Sequence, residues 1–254
     1  MKDFSSLFIS HGAPTLPISD LPARAFLEGL ARELPRPRAI IVQSPHLLTR
    51  ELEIKAPARY QTWHDFGGFP EALYRIESTP PGEAGLAARI LDTLRTAGVP
   101  ATPSTDARLD HGAWVPLMLM YPEADIPLVQ VSATWTTPSQ YFDLGRALRP
   151  LLGEGVLLVG SGGLVHNLRE IEFDADRVPG WARAFDDWTD ARLRAGDWDA
   201  LRDYRRQAPE PVRAHPSEDH FLPLFFAGGA GGVVEPLHRS FSHGSLSMAC
   251  YGFA

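Results

Sequence analysis

The sequence predicts a single α/β domain over residues 1–254, with a central mostly parallel or mixed sheet flanked by helices. Three observations predict it. Short apolar runs bounded by turn formers read as buried strands. Helical periodicity recurs between them. No internal repeat and no linker-like change of composition divides the chain.

The predicted strands are residues 6–10, 39–43, 126–132 and 156–160, each rich in Ile, Val, Leu or Phe. A last strand is expected over 246–253. A helix over 21–34 follows from the spacing of Phe26, Leu27, Leu30 and Leu34. Leu86, Ile90, Leu91 and Leu94 predict another over 84–97, stopped by Gly98 and Pro100. Further helices are expected over 115–121, 140–152 and 181–193, with a buried helix start at 220–227. Residues 60–81 and 195–217 are the least regular and read as walls of a cleft.

Composition removes several function classes. Lys and Arg number 24 and Asp and Glu 31, a net charge of −7, which argues against nucleic acid as partner. The single cysteine excludes an intramolecular disulfide and any zinc finger built on four cysteines or on two cysteines and two histidines. The N-terminal apolar run, Leu7-Phe8-Ile9, is too short for a signal-peptide core, and no run reaches the ~18 residues of a membrane helix. The expectation is a cytoplasmic protein, without a membrane partner, as a monomer or small homo-oligomer.

The unusual stock is imidazole: nine His residues. Ligands of open α/β sheets bind beyond the carboxyl ends of the strands. His11, His46 and His166 each follow a predicted strand, so parallel strands bring them to one edge. His111 and His220 stand at polar-to-apolar junctions, each immediately preceded by an acidic residue, and carboxylates such as Asp110 could orient the imidazoles. Such a group suits Zn, Fe, Cu or Ni, with a further His as acid or base. His238 and His243 read as structural or surface residues, with His64 and His215 intermediate. Ser161 lacks the G-x-S-x-G spacing of a hydrolase elbow. Gly160 to Gly163 lack the Lys-Ser/Thr of a P-loop and read as backbone freedom beside the site.

Four segments together resemble the signatures of class III (LigB-type) extradiol ring-cleavage dioxygenases, in the 4,5-DOPA extradiol dioxygenase branch. They are Ser10-His11-Gly12-Ala13-Pro14, Leu109-Asp110-His111-Gly112-Ala113-Trp114, Gly160 through Leu168, and Asp219-His220-Phe221-Leu222-Pro223-Leu224. They occur in family order across nearly the whole chain. Asp65-Phe66-Gly67-Gly68-Phe69-Pro70 and Phe185-Asp186-Asp187-Trp188 are supporting matches. The resemblance implies His11, His46 and His220 as metal ligands, with Glu218 the alternative to His220. It implies His166 as the base, counted in the metal site in some descriptions, and His111 as a contact to substrate or oxygen. It further implies a non-haem Fe(II) cofactor, a site that Zn(II) can also occupy, and a catechol and O2 as reactants giving a muconic semialdehyde-type product. Phe66, Phe69, Trp114 and Tyr74 are candidates for an aromatic wall, and Arg75, Arg108 or Arg169 for a substrate carboxylate. The rival readings are a zinc-dependent hydrolase on the same cluster and a non-catalytic binding protein.

Overall fold

The computed structural model describes every residue except 1–3, 135, 174 and 176; the first three residues of the N-terminal stretch read above thus lie outside the described residues. The strands are β1 (Ser6–Ser10), β2 (Ala39–Leu48), β3 (Glu53–Lys55), β4 (Gln61–Thr62), β5 (Thr102–Ser104), β6 (Arg108–Leu109), β7 (Leu128–Ala133), β8 (Val156–Gly162), β9 (Val234–His238), β10 (Phe241–Ser242), β11 (Leu246–Ser247) and β12 (Cys250–Phe253). The helices are α1 (Pro22–Leu30), α2 (Ala84–Thr96), α3 (His111–Met120), α4 (Pro138–Leu148), α5 (Gly180–Ala195), α6 (Trp198–Arg202), α7 (Tyr204–Gln207), α8 (Pro211–Ala214) and α9 (Leu222–Ala230).

Eight strands form one mixed sheet in the order β5-β3-β7-β2-β8-β1-β12-β9. Its centre, β7-β2-β8-β1, is parallel. The antiparallel neighbours lie outside it, β3 on β7, β12 on β1 and β9 on β12. The central strands are buried on both faces, and their side chains alternate between two cores. Phe8, Ile41, Val129 and Leu158 point into one, packed by α2, α4, α5 and α9. Leu7, Ile9, Ile40, Val42 and Val159 point into the other, packed by α1 and α3. Each fully buried side chain of this size contributes about 1.5–3 kcal/mol of burial free energy.

Every residue of α9 is buried, which explains a segment apolar all round rather than on one stripe. Two glycines let it approach. A Cβ on Gly160 would meet the Pro223 carbonyl, and one on Gly162 the His220 carbonyl. Neither glycine has a positive φ. The Gly-rich segment therefore serves close contact with the start of α9, a correction to the expected conformational freedom.

Several boundaries differ from expectation. Strand β2 runs on through His46, since it pairs with β7 again at Leu48 after a register shift beyond Gln43. The expected 246–253 strand is two strands in different sheets. Helix α3 starts at His111, earlier than expected, because Asp110 caps it by accepting from Ala113 N at 3.2 Å. Residues 60–81 do wall the cavity, through Phe66 and Phe69. Residues 195–217 instead carry three short helices, none of which lines the cavity that holds the histidines.

A candidate metal centre built from histidines

His11 lies one residue beyond β1, where its N–H donates to Gly162 O at 3.0 Å and prolongs the β1–β8 pairing. His46 stands in the irregular end of β2. His111 opens α3, and its backbone N–H donates to Asp65 Oδ1 at 2.9 Å. His220 is held two residues before α9 by Gly163 N–H donating to its carbonyl at 2.9 Å. His166 N–H donates to Ala214 O at 3.0 Å. All five line one cavity of about 260 Å³, with Phe66, Phe69, Leu168, Ile171, Phe173 and Leu246 as its apolar wall. The edge predicted from parallel strands is therefore where the site sits.

The ring nitrogens divide into an anchored set and a converging set. His46 Nε2 lies 3.2 Å from both His11 Nε2 and His220 Nε2. On the far side of the His11, His111 and His220 rings, Nδ1 has an acceptor. Ser161 gives its hydroxyl proton to Gly112 O, so its oxygen accepts from His11 Nδ1–H at 3.0 Å. Asp219 accepts from His220 Nδ1–H at 3.0 Å, and Asp65 from His111 Nδ1–H at 3.0 Å. His46 Nδ1 faces Asp65 at 3.7 Å. Anchoring at Nδ1 leaves the lone pair on Nε2, the tautomer a metal needs.

Electrostatics agree with neutral rings. Burial, then the charge of neighbouring histidines, pushes His11 and His220 well below 6.5. Burial and then His111 bring His46 to about 4, and burial brings His166 to about 4. Burial would raise the Asp219 carboxyl, but its bonds to His220 and Ser217 and the charge of His220 and His166 together outweigh that and lower it. Burial opposes ionisation of Asp65 too, and the two hydrogen bonds from His111 together with the charge of His111 and His46 outweigh it. Neutral lone pairs that face each other at 3.2 Å repel. A cation bound at about 2.0–2.1 Å from each nitrogen would separate them by about 3.0–3.4 Å, so the donor set fits a transition-metal ion.

Two triads are available. His11, His46 and His111 have ligand atoms within 4.8 Å of one another. In the set of His11, His46 and His220, the His46 Nε2 lies 3.2 Å from each of the other two Nε2 atoms. Glu218 is engaged elsewhere, accepting from Tyr204 Oη at 2.9 Å and Arg205 Nε at 3.0 Å. His166 lies flat on His220, ring centroids 3.5 Å apart and planes within 4°.

Several expected roles move. Asp110 does not orient His111; it caps α3 and accepts from Ser44 Oγ at 2.6 Å and from Gln130. Asp65 holds the ring instead, a partner 46 residues away that adjacency could not reveal. Trp114 and Tyr74 sit behind Phe66, at 6.4 and 5.4 Å between centroids, rather than in the cavity wall. Arg75 pairs with Glu71, Arg108 with Asp106, and Arg169 is exposed, so none lines the cavity. His64 bonds Ile76 O at 3.1 Å and His238 stacks on Phe26 at 4.8 Å. His243 does line the cavity, against the expectation of a structural or surface role.

Comparison with known proteins gives a consistent picture. Residues 6–254 match the family described as the catalytic LigB subunit of aromatic ring-opening dioxygenase. The chain is 40% identical to a 4,5-DOPA dioxygenase extradiol from Beta vulgaris, covering 98% of this chain and 96% of that one. It is 38% identical to a 4,5-DOPA dioxygenase extradiol from Escherichia coli K12, covering 96% and 92%. A crystal structure of an uncharacterized Escherichia coli K12 protein superposes with TM-score 0.82 at 32% identity, covering 98% of this chain and 99% of that one. Among the described residues, no helix is long and apolar enough to cross a membrane.

Proposed function

This chain belongs to the LigB family of aromatic ring-opening dioxygenases and is an extradiol ring-cleaving dioxygenase, and we propose that it uses non-haem Fe(II) held by His11, His46 and His220 to open a DOPA-like catechol. The observation that carries this reading is the convergence of three Nε2 atoms, two of which, on His11 and His220, have Nδ1 partners that fix the metal-binding tautomer. The product on this reading is a muconic semialdehyde-type acid.

When bound, Fe(II) supplies a charge that lowers the catechol hydroxyl pKa and open positions for both reactants. The chain does the rest. Neutral His166, stacked on His220, accepts the second hydroxyl proton as general base. Asp65 on Nδ1 steadies His111, which contacts the substrate or oxygen and stabilises charge developing there. Phe66, Phe69 and Ile171 grip the ring face and keep bulk water from the reacting carbons. A cavity of about 260 Å³ has room for one substituted catechol.

Anaerobic reconstitution with Fe(II), followed by L-DOPA or protocatechuate and air, tests the reading. Oxygen uptake with a yellow product is expected. Absence of both across a catechol panel, with metal bound, would overturn it. Turnover of esters or amides with Zn(II) would favour the hydrolase alternative instead.

A further inference from the structure

The cavity wall carries a sixth imidazole that the proposed chemistry does not use. His243 lies in the turn between β10 and β11 and lines the same cavity as the five site histidines. Its φ is 48°, in the left-handed region, and Gly244 follows at 75°. Non-glycine residues seldom stand there, and such strain persists where the surroundings enforce it, often at ligand-binding walls. The surroundings here are definite: the His243 carbonyl accepts from Glu172 N at 3.0 Å and from Ser245 N at 2.9 Å. The ring packs against Phe173 at 4.7 Å. Its Nε2 is buried with no hydrogen-bond partner. A buried polar atom without a partner is destabilising unless a ligand supplies one.

Apart from the five site histidines, His243 is the one polar side chain in the described lining, and no Lys or Arg joins it. We infer that His243 determines specificity, its Nε2–H donating to an oxygen of a carboxylate or hydroxyl substituent on a single-ring catechol. This rests on the reading of the cavity as a catechol site. The diol is fixed at the histidine cluster, and the opposite end of the substrate then meets a wall whose other members here, Leu168, Ile171, Phe173 and Leu246, are apolar. A substituent oxygen has His243 as its partner.

His243→Asn and His243→Gly test this, because both residues accept the left-handed backbone while neither reaches as far as imidazole. Steady-state kinetics and anaerobic calorimetry on the Fe(II)-loaded protein would compare 3,4-dihydroxybenzoate and 3,4-dihydroxyphenylacetate with unsubstituted catechol. The wild type should prefer a carboxylate-bearing catechol. In both variants KM and Kd for that substrate should rise about ten- to hundredfold, while kcat and KM for catechol change less than about threefold. An equal loss on all substrates would make His243 merely structural and overturn the inference. No change, or no preference in the wild type, would overturn it as well. A wild type that neither binds nor turns over any catechol removes the underlying reading and this assignment together.

Discussion

Replacing Ser161 by Ala separates a metal site from an ordinary buried serine. The Ser161 hydroxyl is fully buried; it donates to Gly112 O and accepts His11 Nδ1–H at 3.0 Å. The methyl of Ala does neither. The Gly112 carbonyl loses its partner, which costs about 1–3 kcal/mol of stability. His11 loses the contact that selects its tautomer, and outer partners of this kind are worth about 10–100-fold in metal affinity. That range equals about 1.4–2.7 kcal/mol. Competition against a chromophoric chelator at pH 7, run anaerobically for Fe(II) and in air for Zn(II), measures the affinity. Thermal unfolding of the metal-free protein measures the stability term separately. A variant that is destabilised yet binds metal as tightly as wild type would refute the tautomer argument. Retained affinity would also remove His11 from the proposed ligand set.

Three further outcomes are expected. His46→Ala, which deletes the nitrogen shared by both 3.2 Å contacts, should lose stoichiometric metal binding by elemental analysis; full occupancy would refute its role. His166→Ala should keep the metal and lower kcat by about 10²–10⁴-fold, the usual size of a general-base contribution; loss of metal would instead make His166 a ligand. His215 is fully buried, donates Nε2–H to Leu164 O at 2.9 Å, and burial brings its pKa to about 3. The unfolded chain therefore takes up a proton below about pH 6.5 that the folded chain refuses. Its effect is absent above pH 6.5 and destabilises progressively as pH falls towards 3. Metal-free His215→Phe should show a pH–stability slope shallower by about 1.4 kcal/mol per unit between pH 6 and 4; an unchanged slope by denaturant titration would refute it.

Strand positions were readable because β1, β2, β7 and β8 are short and buried on both faces, so their apolar runs are continuous. The parallel order, and with it the meeting of His11, His46 and His166, followed from placing strands between helices. The two histidines outside strand ends, His111 and His220, were legible through their acidic neighbours and the family-like segments around them. One of those neighbours, Asp219, does orient its ring, and the other, Asp110, serves as a helix cap. His243 was not legible, since a lone His in a Ser-Gly turn carries no periodic or spacing signal.

By itself the sequence determined the layer architecture and the shared edge that gathers His11, His46 and His166, while His111 and His220 joined them through the family resemblance of their segments. These depend on side-chain chemistry and on periodicities local to each element. Tertiary structure alone decided which nitrogen of His11 and of His111 is anchored, through Ser161 and Asp65. It also decided that Glu218 faces Tyr204 and Arg205, and that His166 stacks on His220. The His111 and His11 anchors join groups 46 and 150 residues apart, and the short range of a hydrogen bond makes them depend on packing rather than on order along the chain.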